Sequence, residues 1–351
     1  LDPLPTCNPL SSHDFPLPSG RRFGPNELCR PVSGELVPEG STFLDAVSQK
    51  PFIQLRQYAQ QPFWDDATGI MFWIWRRQSG KSFHAAAKAL RRMMMIRGLL
   101  SVFCSASVNL GVEFVRKEAI IWTQITEQYR RAVSESGLKL TCSADDDKGR
   151  LLDLDAVCDL FEHQKLETKI WHDRTTYSRS IVVAPNPDTA VGWTGDIWLD
   201  EFGRMPEFKE VLEAVLPFMS SNQQFRLLGI TTPPPDDQHY SWEMTIPTDE
   251  EFQTNPNGNW YRSAAGFLCH RVDAWDAHAA GVPMYDDQSR KVITPEEHRA
   301  RAFDKTAWDR NFGLKFIRGG QAAVRLADLQ QAMSAGVGGC VGLDISEEIA
   351  A

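Results

Sequence analysis

Two short clusters carry most of the chemistry in this chain. The first is Arg76-Arg77-Gln78-Ser79-Gly80-Lys81-Ser82, set between the apolar run Ile70–Trp75 and the alanine-rich stretch Phe83–Leu90. Strand, short polar loop and helix in that order make a phosphate site. Amides at the helix N-terminus face the anion, Lys81 reaches the β- and γ-phosphates, and the Ser82 hydroxyl takes a Mg²⁺ position. Gly80 lets the backbone approach the phosphates with no side chain in the way. Gly-Lys-Ser alone is a common tripeptide, so the flanking strand and helix give it its weight. The loop departs from the usual form in opening on Trp75 rather than on glycine.

The second cluster, Asp196-Ile197-Trp198-Leu199-Asp200-Glu201, follows about 120 residues later: an apolar strand closing in two acids. In nucleoside-triphosphate hydrolysis such a pair divides the work. Asp200 would sit beside the metal, and Glu201 would polarise the attacking water. A third run, Phe225-Arg226-Leu227-Leu228-Gly229-Ile230-Thr231-Thr232, is a buried strand ending in two hydroxyls. Beside the second cluster its tip would sense the γ-phosphate, although threonine at a strand end is also plain β-propensity.

These clusters need a frame. Strands are predicted at Ile70–Trp75, Leu100–Ser105, Ser180–Ala184, Ile197–Leu199 and Phe225–Ile230, and helices at Ser82–Arg97, Val108–Ser136, Asp153–Glu162 and Phe208–Met219. Strands separated by helices imply an α/β fold with a central, mostly parallel sheet covered on both faces. Residues 1–42 hold eight of the 21 prolines and read as an extended arm, followed by a short helix from Ser41-Thr42 to Gln49. The core is expected over 43–266. Pro233-Pro234-Pro235 is a hard stop near its end, and 267–335 read as a small lid or linker subdomain. Gly336-Val337-Gly338-Gly339 then forms a joint before the strand Cys340–Ile345, so 336–351 read as the opening of a further domain.

Composition narrows the classes. The 351 residues are 42% hydrophobic and 24% charged, which excludes bulk disorder and fibrous repeats. No apolar run approaches the roughly 20 residues that span a bilayer, and Leu1 is not followed by a basic signal region. Starting on Leu1 and stopping at Ala351, the chain reads as a fragment or a processed form. Seven widely spaced cysteines without a CxxC pair argue against a disulfide framework or zinc knuckle and for core thiols in a reducing compartment. A net charge of −9 excludes a generic polyanion surface, so nucleic-acid contact would need a local patch. Arg91-Arg92, Arg116-Lys117 and Arg130-Arg131, with Arg318 and Arg325, are the candidates, and such clusters are most often solvated faces.

Together these segments resemble the large subunit of tailed-phage terminases, the viral DNA-packaging motors, and among them the version found in Mu-like phages. That family replaces the glycine-led loop by an arginine-led one, here Arg77-Gln78-Ser79-Gly80-Lys81-Ser82. The approach to the second cluster, Ala184–Asp196, is also similar, except that Val191 stands where many members carry arginine. The resemblance implies a P-loop ATPase in which Lys81, Arg76, Gln78, Ser79, Gly80 and Ser82 form the Walker A loop, and Asp200 and Glu201 close the Walker B strand. It further implies that Arg77 stabilises the γ-phosphoryl transition state in cis, that Thr231 and Thr232 form a coupling motif, and that Gln60 lies on the adenine side. Asp344 looks like the first metal-binding acid of an RNase H-like nuclease. That site needs several carboxylates, and residues 336–351 supply one of them, so this chain should not cut DNA. The implied cofactors are ATP and Mg²⁺. The implied partners are double-stranded DNA, a portal protein and a small terminase subunit, in a homo-oligomeric ring on the capsid, with a monomer in isolation and no membrane. The setting would be the host cell cytoplasm. Two other readings remain at this level: another P-loop DNA translocase or helicase, and a portal or small-subunit docking module with little ATPase activity alone.

Overall fold

The apolar runs become the middle of one sheet. The structure is a computed structural model and describes residues 53–136, 160–186, 192–248 and 251–318. Its strands are β1 (Ile70–Trp75), β2 (Leu100–Ser105), β3 (Phe161–His163), β4 (Glu167–Trp171), β5 (Tyr177–Val183), β6 (Asp196–Asp200), β7 (Leu227–Thr231), β8 (Asn259–Arg262) and β9 (Leu268–Val272). They form a nine-stranded sheet in the order β3-β4-β5-β2-β6-β7-β1-β9-β8. The run β5-β2-β6-β7-β1-β9 is parallel throughout. Strands β3, β4 and β8 add antiparallel edges. This is the P-loop NTPase arrangement, with one strand, β7, between the strand that leads into the phosphate loop and the strand that ends in the two acids.

The helices are α1 (Gln60–Trp64), α2 (Lys81–Met95), α3 (Val108–Ser136), α4 (Phe208–Val215) and α5 (Ser241–Thr245). Period-two alternation sends successive strand residues to opposite layers. Met71, Trp73 and Trp75 of β1, with Trp198 of β6, pack under α2 and α3 against Ala86, Leu90, Phe114 and Ile121. Phe72 and Ile74, with Ile197 and Leu199, face the other layer, where Phe202, Phe208, Val211 and Val215 close over them. Gly229 of β7 is required by this packing. A β-carbon there would lie 2.6 Å from the Phe72 ring and 2.7 Å from Phe202.

Three expected elements differ. The helix expected over Phe208–Met219 is α-helical to Val215 and continues as a 3-10 turn, Leu216–Ser221. Pro217 lacks the N–H that would continue the α-helical ladder. The end of the helix expected at Asp153–Glu162 is strand β3, whose Phe161 stacks on Trp122 at 5.2 Å. Residues 153–159 lie outside the described residues, as do the expected arm, the Ser41–Gln49 helix and the stretch 319–351. Third, the sheet runs on past residue 266, because β9 pairs in parallel with β1.

Beyond β9 come α6 (Ala274–Ala279), the small hairpin β10 (Met284–Tyr285) and β11 (Val292–Ile293), then α7 (Pro295–Arg301) and α8 (Lys305–Asn311). Reciprocal side-chain caps start two of these helices, Asp273 with Asp276 and Thr294 with Glu297. Cys104 and Cys269 are buried free thiols, whose pKa burial raises to about 12. No helix among the described residues is long and apolar enough to cross a membrane.

Candidate active site

The site lies at the carboxyl ends of the parallel strands, where open α/β sheets place their ligands. Strand β1 ends at Trp75, the loop turns through Gln78 (φ 59°) and Gly80 (φ 81°), and α2 starts at Lys81. A left-handed Gly80 is cheap, and it brings the chain into the helix without a capping side chain. The first loop residues are anchored from behind. The Arg76 N–H donates to the Val272 carbonyl at 2.8 Å, and the Arg77 N–H to the Asn311 carbonyl at 3.0 Å.

Four of the loop carbonyls, those of Arg76, Arg77, Ser79 and Gly80, are occupied. Ser79 Oγ donates to the Arg76 carbonyl at 2.8 Å, and Arg76 Nη1 donates to that of Arg77 at 3.2 Å. The Tyr58 hydroxyl donates to the Ser79 carbonyl at 2.7 Å. His84 Nδ1 lies 2.9 Å from the Gly80 carbonyl, and the His84 Nε2 receives the Arg56 N–H at 3.3 Å. These partners fix a neutral imidazole with its proton on Nδ1. Burial lowers the His84 pKa to about 4, which agrees.

Across the loop, β6 delivers its acids. Ser82 Oγ is 3.4 Å from Asp200 Oδ1, and Lys81 Nζ is 2.8 Å from Glu201 Oε1. Glu201 sits in the left-handed region (φ 51°), and its Oε2 is buried with no partner. A non-glycine residue there is strained, and such strain gathers at functional positions. Asp200 is 4% exposed, and its pKa is pushed up to about 6, first by burial and then by the neighbouring Glu201 charge. Lys81 and Lys117 pull it the other way. Arg77 stands close enough to Glu201, Arg204 and Arg310 to feel all three, and burial, followed by the two arginines, lowers its basicity.

Between loop and acids runs β7, paired with β6 on one side and β1 on the other. Its last residue, Thr231, accepts the Gly203 N–H at 3.1 Å and donates to the Thr232 carbonyl at 2.8 Å. Both threonines are buried. Ser82 and Asp200 offer hard oxygen donors 3.4 Å apart, a donor type that suits Mg²⁺. Among the described residues no cluster of three or more His, Cys, Asp or Glu could hold a metal. A two-ligand protein share suits an ion that takes most of its shell from phosphate and water.

Lys81, Ser82, Asp200, Glu201, Arg77 and the Thr231-Thr232 pair therefore come together. Arg76 is on the loop but buried (2% exposed), with its guanidinium 6.0 Å over the Phe312 ring. Gln78 is exposed at the loop tip. Gln60 is exposed at the start of α1 and makes no hydrogen bond to the loop, while its neighbour Gln61 accepts from Trp260 Nε1 at 3.0 Å. Asp344 and Val191 lie outside the described residues. Of the basic clusters, Arg91-Arg92 is neither solvated nor open to a polyanion. Both side chains are buried against Asp66, and Arg92 also pairs with Asp196. Tyr58 and His84 were not among the sequence candidates. His84 lies one helical turn beyond Gly80, a spacing that could have marked it, whereas nothing local marks Tyr58.

Comparison with known proteins gives two kinds of likeness. Residues 77–303 match the family model described as terminase large subunit, T4likevirus-type, N-terminal, which gives the large-subunit family and not the Mu-like variety. No curated protein matches by sequence. Among solved structures, the ATPase domain of the large terminase from Thermus phage P74-26 is similar at 18% identity and a TM-score of 0.44, over 71% of this chain and 90% of that one. The large terminase of a second, thermophilic bacteriophage, in complex with ADP, is similar at 12% identity and a TM-score of 0.43. That likeness covers 75% of this chain and 53% of the other, so this chain spans about half the length of that second terminase.

Proposed function

The chain belongs to the terminase large subunit family of T4-likevirus type, and from that premise we propose that it hydrolyses ATP with Mg²⁺ to drive double-stranded viral DNA into a procapsid. One observation supports this most: Lys81 and Ser82 at the uncapped start of α2 face Glu201 and Asp200 at the end of β6, with β7 between their strands. Lys81 and the loop amides hold the β- and γ-phosphates. Ser82 and Asp200 would hold the metal, which when bound offsets phosphate charge. Glu201 orients the attacking water and accepts its proton at a carboxylate oxygen. Arg77 faces the charge that develops on the γ-phosphoryl oxygens.

Thr231 ends the strand between loop and acids and Thr232 follows it, which supports a role in passing a change at the γ-phosphate to the segments beyond. The arm 1–42, the core 43–266 with β9 added to its sheet, the lid over the rest of 267–335 and the nuclease opening 336–351 are the proposed units. The portal protein, the small subunit and further copies of this chain in a ring are the proposed partners, in the host cytoplasm. The test is Glu201→Gln. ATP binding should persist while steady-state phosphate release falls by about 100-fold or more, the scale of a lost general base. Turnover equal to wild type would reject the assignment.

A further inference from the structure

The phosphate loop shows a division between its acceptors and its donors. The carbonyls of Arg76, Arg77, Ser79 and Gly80 all receive hydrogen bonds from side chains. The backbone N–H groups of Gly80, Lys81 and Ser82 meet no protein acceptor among the described residues. A peptide unit is planar and trans, so fixing one residue's C=O fixes the next residue's N–H in the opposite direction. Tyr58, through the Ser79 carbonyl, thus aims the N–H of Gly80. His84 aims that of Lys81 through the Gly80 carbonyl, which receives both its imidazole Nδ1–H at 2.9 Å and, as the first bond of the helix, its backbone N–H at 3.0 Å.

We propose that Tyr58 and His84 are positioning residues that hold the Gly80 and Lys81 amides toward the β-phosphate of a nucleotide. The inference rests on the phosphate-site reading above and deepens it. Both side chains are braced for this task. Tyr58 is fully buried, with its ring edge-on to Trp75 at 5.2 Å. His84 is 4% exposed and also meets Trp75 edge-on, at 5.8 Å. Trp75 is itself fixed through its Nε1, which donates to His270 Nδ1 at 2.9 Å. The aromatic residue at the loop's first position, where glycine is usual, thereby forms the wall on which both positioning residues lean. The loop's two left-handed residues, Gln78 and Gly80, would otherwise relax toward other turns.

The experiment measures ADP and AMP binding by calorimetry for wild type, Tyr58→Phe, His84→Leu and His84→Asn, with thermal unfolding of each. AMP lacks the β-phosphate and serves as the internal reference. Tyr58→Phe removes one hydroxyl from a retained ring and should weaken ADP about three- to ten-fold, the effect of one net hydrogen bond, with AMP unchanged. His84→Leu should do the same. His84→Asn, which keeps an N–H donor near the Nδ1 position, should restore ADP binding. In turnover, KM for ATP should rise more than kcat falls. Unchanged ADP affinity in folded Tyr58→Phe would overturn the proposal, as would equal losses for ADP and AMP. Should His84→Leu fail to fold, Tyr58→Phe decides alone. A wild-type chain that binds neither nucleotide would instead overturn the phosphate-site reading beneath it.

Discussion

Strand β6 carries an aspartate at each end, and the two have opposite surroundings. Asp196, at its start, is fully buried and held by Arg92 Nε at 2.5 Å, Arg92 Nη2 at 3.1 Å and the Arg226 N–H at 2.8 Å. Asp200, at its end, has a 3.4 Å contact with Ser82 and a second carboxylate next to it. Helix α2 repeats the contrast along its own length. Its far half sends Lys88, Arg91 and Arg92 to Asp66 and to the carbonyls of Pro62, Phe63, Asp65 and Gln224. Its start presents Lys81 and bare amides, and beside them Glu201 Oε2 is buried without a partner. Charges closed on one another hold the fold, and charges left short of partners await a ligand that supplies them.

The largest effect should separate the two ends outright. Asp196→Ala leaves Arg92 buried and short of the nearer of its two carboxylates, so unfolding by urea should show a loss of about 3–5 kcal/mol. Asp200→Asn, at the other end of the same strand, should cost no stability, since it removes a charge that burial and Glu201 disfavour, yet it should abolish turnover. Equal destabilisation at both ends would break the comparison.

Glu118 offers a harder case, because its Oε1 also lacks a partner although it lies in the α3–β4–β5 core rather than at the site. Burial raises its pKa to about 8, so at neutral pH it is an uncharged acid that donates or accepts as its neighbours require. With a folded pKa above the unfolded one, the native state holds a proton that the unfolded chain has released. This contribution is complete below about pH 4.5 and is lost as pH rises toward 8, at up to about 1.4 kcal/mol per pH unit. Glu118→Gln should therefore flatten the stability profile over that window and leave turnover intact. A profile that keeps its slope would mean Glu118 is charged, and its unpartnered oxygen would need another account.

The smallest effect sharpens the open end. Lys81 must leave Glu201 to meet a phosphate, so Glu201→Gln should tighten ADP binding by a few-fold, about 1 kcal/mol, the usual net scale of one hydrogen bond. Weaker ADP binding would mean that the pair helps the ligand rather than competing with it.

Much of the frame was readable in advance because it rests on local signals. β1, β2 and α3 fall on their predicted residues, being apolar runs or long amphipathic stretches between clear breaks. The edge strands were missed because β3, β4 and β8 are short, half-exposed and polar, and they owe their form to pairing rather than to pattern. Lys81, Ser82, Asp200 and Glu201 were visible from residue type and position after a strand. Arg91-Arg92 looked like surface charge because the acids that bury it, Asp66 and Asp196, are 25 and 104 residues away. Tyr58 was invisible for the same reason, since its role depends on a carbonyl 21 residues along the chain.

The central claim is that the open end is a nucleotide-hydrolysing site. Its most direct test is steady-state phosphate release from ATP with Mg²⁺, comparing the chain with Lys81→Ala and adding linear duplex DNA to both. The expected result is turnover in the wild type, a fall of at least about 100-fold in Lys81→Ala at unchanged melting temperature, and stimulation by DNA in the wild type alone. Equal turnover in the two proteins would contradict the claim.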